Sequence, residues 1–280
     1  MLALSSLPWR LVGLVLAVIL VGATSFALET IQTWLPSRVP SNLDLACNTL
    51  GGLLGALWAQ HVGPRVFNRI SHLQHQLIAP VPHAELGLTL LGLWLLVPLS
   101  PETLLFGAGD LRQALGLIGA VPFAAESFVL IEASITAFNT VAVGLMLRWL
   151  ILRTRWAYLL VPLFLLLGLA VRTLATVILI GPQDALSWMT PGAELGLILG
   201  LLILALALPL PANARLVLAG MALMAGTVLV NLAPPNPYSQ AALTAWRQGH
   251  FLNFNGLTRL VATLWPFLTL PFLLLTTRRT

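Results

Sequence analysis

The sequence predicts an all-α fold: a polytopic transmembrane helical bundle of about eight spans, a single integral membrane domain over residues 1–280 with both termini cytoplasmic. Three observations carry that expectation. Apolar stretches of about 20 residues, enough to cross roughly 30 Å of hydrocarbon as helix, recur along the chain. Hydrophobic residues make up 58 % of it and charged residues 8 %, with mean hydropathy +0.93. Soluble domains are roughly 25 % charged, and a soluble core could not bury this surplus. Finally, the arginines fall in alternate connectors.

The first span, near 9–32, follows Trp9 and Arg10. It is too long for the apolar region of a signal peptide and lacks a small-residue cleavage site, so it reads as an anchor. The second, near 43–61, leads into a basic stretch with Val66, Phe67, Ile70, Leu73 and Leu77 on one side, suited to the anionic cytoplasmic leaflet. Further spans are expected near 84–100, 127–150, 156–181, 191–210, 213–232 and 257–276. Pro234, Pro235 and Pro237 stop the seventh, because proline lacks the helix donor. The connectors near 101–126 and 233–256 are long enough for short surface or re-entrant helices.

An even span count puts both termini on one side, together with Arg65, Arg69, Arg148, Arg153, Arg155, Arg215, Arg278 and Arg279. By the positive-inside rule that side is the cytoplasm. Glu102, Asp110 and Asp184 fall on the other. The formal charge of +5 rests on 14 arginines, since there is no lysine, and they are scattered. A nucleic-acid partner is therefore not expected, because no basic stripe is interleaved with aromatics. The lone Cys47 sits in an apolar context and is expected to be buried; it excludes an intramolecular disulfide.

Ionisable groups at membrane depth cost several kcal/mol unless they find partners or water, so each is a candidate for function. In the expected topology they gather in the outer half: Glu29 and Gln32 end span one, Asp44 and Asn48 open span two, and Arg38 lies between. Glu132 lies in span four, Arg172 in span five, Glu194 opens span six, Asn231 ends span seven and Arg259 opens span eight. One reading is an outward-opening wet pocket in which Arg172 anchors a phosphate or carboxylate through its planar fork. The other pairs Arg172 with Glu132 as a helix staple and leaves the rest as helix caps in the headgroup layer.

Gly51 with Gly55, and Gly192, Gly196 and Gly200, repeat every four residues and predict close helix packing. Gly51, Gly52 and Gly55 lack the Lys and Ser/Thr of a phosphate loop. His61, His72, His75 and His83 crowd the second connector, but no Cys, Asp or Glu accompanies them between 61 and 83, so no metal site is expected. No cofactor motif and no nucleophile-and-base constellation appears, although Glu29 and Asp44 as paired carboxylates could do acid and base work.

The segment Glu29-Thr-Ile-Gln32, then Pro36, Arg38 and Pro40, then Asp44, Asn48, Gly51 and Gly55 resembles the signature of VanZ-like membrane proteins. That signature runs from E-x-x-Q through a Pro- and Arg-containing turn to D-x-x-x-N-x-x-G-x-x-x-G. Asn253-Phe-Asn-Gly-Leu and Leu264-Trp-Pro266 resemble the C-terminal end of longer members, while the upstream helix expected with an Asp-Lys and His motif is absent. The resemblance implies a role in the cell envelope and, for the founding type, resistance to lipoglycopeptide antibiotics. A rigid Pro36 and Pro40 hairpin would hold Glu29, Arg38, Asp44 and Asn48 in one outward group.

The leading expectation is an inner-membrane protein that binds or shields an anionic or lipid-linked envelope component at the outer leaflet, such as a lipid-linked glycan precursor. Glu29, Arg38, Asp44, Asn48, Glu132 and Arg172 would be its ligand-binding residues. A scaffold or accessory subunit bound to a membrane-protein partner is the alternative. A transporter ranks third, since no inverted repeat is evident.

Overall fold

A computed structural model describes residues 7–32, 42–100, 103–112, 123–234, 236 and 255–277. Every regular element in them is helical: α1 (Leu7–Gln32), α2 (Asn42–Leu77), α3 (Ala84–Trp94), α4 (Ala125–Leu150), α5 (Thr154–Leu179), α6 (Pro191–Ala207), α7 (Ala212–Leu232) and α8 (Asn255–Thr277). Five of them, α1, α4, α5, α7 and α8, are long and apolar enough to cross a membrane. The expected spans near 84–100 and 191–210 form shorter apolar helices. That near 43–61 is the first half of α2, which runs through Pro64 and the amphipathic stretch without a break to Leu77.

The chain divides into two compact units, Met1–Gln76 and Leu77–Thr280. In the first, α1 and α2 form an antiparallel pair. Gly22 lies against Thr49, Gly52 against Val21, and Asn48 Nδ2 donates to Ser25 Oγ at 3.0 Å. The contact glycines differ from those expected: Gly51 and Gly55 face open space, and Gly52 takes the close approach. Cys47 also departs from expectation, being exposed on α2. A helix in a two-helix unit has one covered stripe, and these positions fall outside it.

The larger unit is built around α4, most of whose C-terminal half is buried. On one side α6 presents its glycine ladder. A side chain at Gly196 would lie 2.5 Å from Ala133 O, and one at Gly200 would lie 2.9 Å from Thr140 Cβ. Only glycine permits this backbone approach, so the expected ladder is a true packing seam. On another side α7 crosses α4, with Gly226 against Asn139. Trp94, Phe106 and Phe164 stack in the core beside α3, and Trp265 Nε1 on α8 donates to Leu90 O at 2.7 Å.

Candidate functional site

Ser100 and residues 103–112, between α3 and α4, lie at the end of the larger unit as irregular backbone, with Leu105, Phe106, Gly107, Ala108 and Gly109 all buried. Backbone that is neither helix nor closed sheet is tolerated at membrane depth only when protein groups satisfy it. Here four helices supply those groups. Arg172 on α5 donates Nη1 to Ser100 O and Nη2 to Thr103 O, the latter at 2.7 Å. Thr136 on α4 donates to Leu105 O at 3.2 Å. Asn231 on α7 accepts from Leu111 N at 2.9 Å and donates to Gly109 O at 2.8 Å. Ala262 O on α8 accepts from Gly109 N at 2.7 Å.

Two residues of this loop hold left-handed backbone, Phe106 at φ 59° and Gly109 at φ 86°. Glycine is needed at 109 on both counts, since an added Cβ would meet Thr227 Cγ2 at 2.7 Å. Phe106 accepts the strain while 1 % exposed against Trp94, where its burial offsets part of the cost. Asp110 and Arg112 close the loop with an ion pair at 2.7 Å, and Arg112 also donates to Ala233 O.

Glu132, 2 % exposed, lies at the same end. Its Oε1 accepts from Thr190 Oγ1 at 2.7 Å, and that hydroxyl in turn caps α6 by accepting from Ala193 N at 3.1 Å. The carboxyl group therefore sits at a helix N-terminus, where the dipole favours negative charge. Glu132 Oε2 has no hydrogen-bond partner among the described residues. Arg172 and Glu132 form no direct ion pair. In place of the alternative reading, a direct Arg172–Glu132 staple, there are two clamps, Arg172 on the loop and Glu132 on the start of α6.

The site residues named from sequence fall in both units. Glu29, Asp44 and Asn48 belong to the first hairpin. The contacts at Ser25 and Asn48 fix its register, and one helical turn further along each helix Glu29 comes level with Asp44. Beside this polar end, Val18, Leu45, Ala46, Thr49, Leu50 and Leu53 line an open, chiefly apolar groove. Arg38 lies outside the described residues. Glu132 and Arg172 come together in the larger unit. Sequence reasoning missed Ser100, Thr103, Thr136 and Thr190, whose part is played by carbonyls and hydroxyls that carry no charge pattern. Asn231 was visible as a polar residue ending a span, without its target.

Comparison with known proteins finds no matching family model, no matching curated protein and no matching solved structure. Function must therefore be argued from these residues.

Proposed function

We propose that this is a multi-pass inner-membrane protein of the bacterial cell envelope, VanZ-like in its first hairpin, which binds or shields an anionic or lipid-linked envelope component at the outer leaflet. In this reading the membrane holds about eight spans with both termini cytoplasmic, the two shorter apolar helices and the first half of α2 joining the five long ones. The observation that carries the proposal is the register of α1 and α2, which sets Glu29 level with Asp44, one turn from Asn48, above an apolar groove. A lipid-linked ligand needs that combination of polar groups for its head and an apolar channel for its chain. Arg38, which the sequence places between the two helices, supplies a cation for the anionic part, and the carboxylates and Asn48 meet sugar or peptide groups. Arg172 and Glu132 belong to the larger unit, where they fix the loop and the start of α6.

The test is susceptibility to a lipoglycopeptide in a bacterial host expressing the full chain. Resistance should rise with the native chain and return to the level of the empty host with Asp44→Ala/Asn48→Ala. An unchanged susceptibility with native protein confirmed in the membrane would refute the resistance role.

A second reading, an accessory subunit, is favoured by the scarcity of buried residues in α1 and by the open faces of Gly51 and Gly55. Small residues of this kind let a partner helix approach closely. A stoichiometric partner retained in mild detergent would move the assignment there.

A further inference from the structure

Two buried arginines at the opposite end of the larger unit take no part in holding the loop. Arg148 lies in the last turn of α4 and Arg215 in the first turn of α7, and these helices pack against each other. The two residues are 7 % and 8 % exposed, and α4 and α6 reach this end side by side, Gly144 against Leu204, which brings Leu208 O, the acceptor of Arg215, to the last turn of α4 where Arg148 lies. Every acceptor they have is neutral. Arg148 donates Nη1 to Ile151 O at 3.0 Å and Nη2 to Thr154 Oγ1 at 2.9 Å. Arg215 makes one long bond, Nη1 to Leu208 O at 3.4 Å. The Nε of each lacks an acceptor, and neither forms an ion pair among the described residues.

A count of charge shows what is missing. Ile151 and Leu208 are the C-caps of α4 and α6, and a helix C-terminus presents roughly half a negative charge. Two guanidiniums against two such ends leave positive charge unbalanced in a buried setting, and the N-terminal ends of α5 and α7 beside them add to it. The neighbouring Arg153 and Arg155 are exposed, where water and salt screen their charge, and they bring no counter-charge to the buried pair. Trp156, carrying Arg155 over its ring at 5.5 Å, and the exposed Tyr158 mark the depth at which aromatic side chains meet lipid headgroups.

We propose that Arg148 and Arg215 form a binding site for one phosphate-type anion at this end of the bundle. The planar guanidinium matches phosphate oxygens through paired N–H donors, and a bound anion offsets the unbalanced positive charge. The same chemistry is offered by the phosphodiester of an anionic lipid and by inorganic phosphate.

The experiment places the full chain in phosphatidylcholine nanodiscs doped with phosphatidylglycerol and reads lipid retention by native mass spectrometry, with and without added inorganic phosphate. The native chain should retain phosphatidylglycerol over phosphatidylcholine. Arg215→Gln, which sacrifices only one long protein bond, should lower that preference about tenfold or more, and exposed Arg153→Gln should leave it unchanged. Retention that resists inorganic phosphate assigns the lipid as ligand. Displacement of the lipid by phosphate in the native chain, or phosphate binding alone, assigns the free anion. Absence of both preferences, an unaltered preference in Arg215→Gln, or an equal loss in Arg153→Gln would overturn the site. Should Arg215→Gln not fold, Arg215→Lys replaces it. The lysine keeps the charge and loses the fork, so retention should fall several-fold, and unchanged retention counts against the proposal.

Discussion

Arg172 shows how a charge inside a membrane protein can be spent on backbone. Its guanidinium holds the carbonyls of Ser100 and Thr103, groups that would otherwise face a low-dielectric interior without donors. Arg172→Ala should therefore destabilise the protein by on the order of 2–4 kcal/mol and raise hydrogen exchange across 103–112 while leaving α1 and α2 unchanged. Exchange mass spectrometry in detergent checks this, and an undisturbed loop would mean that Thr136, Asn231 and Ala262 suffice. Glu132 offers a graded test. Glu132→Gln keeps an acceptor for Thr190, whereas Glu132→Ala removes it, so the alanine variant should melt lower, by roughly 1–3 kcal/mol in stability. The sequence made Arg172 and Glu132 visible because charge is rare in an apolar run. It could not show their partners, since a carbonyl oxygen is the same at every position.

At the level of elements, helix positions were legible and helix faces were not. Long apolar runs bounded by Arg, Pro and Gly located α4, α5, α7 and α8 to within a few residues, because hydrocarbon thickness fixes the length a span needs. The glycines divide differently. Gly192, Gly196 and Gly200 meet α4, but Gly51 and Gly55 meet nothing, although both sets have the same spacing. Spacing puts small residues on one stripe and leaves the stripe's partner undetermined. Gly196→Ala should cost roughly 1–3 kcal/mol, because the new methyl meets the Ala133 backbone. Gly55→Ala should be neutral or slightly stabilising, within about 1 kcal/mol. Thermal unfolding of the two variants beside the native protein decides the matter, and equal losses would show that Gly55 also lies in a packed seam.

For the molecule as a whole, the division of labour is between a hairpin with an exposed apolar exterior and a larger unit that braces an irregular loop at one end and gathers buried arginines at the other. Composition revealed the membrane setting. The loop's role stayed hidden, because a buried irregular segment such as Leu105–Gly109 has neither helical period nor polarity to mark it. The same limit kept Arg148 and Arg215 looking like ordinary positive-inside residues until packing placed both at one bundle end. The central claim, that the polar end of the hairpin binds an envelope component, is tested most directly by native mass spectrometry of the gently solubilised full chain, comparing native protein with Asp44→Ala/Asn48→Ala and with Arg172→Ala. A lipid-linked adduct on the native chain, lost in the hairpin variant and kept in Arg172→Ala if that variant remains folded, is the predicted result. An adduct retained equally by the hairpin variant, or a stoichiometric protein mass in place of lipid, would contradict it.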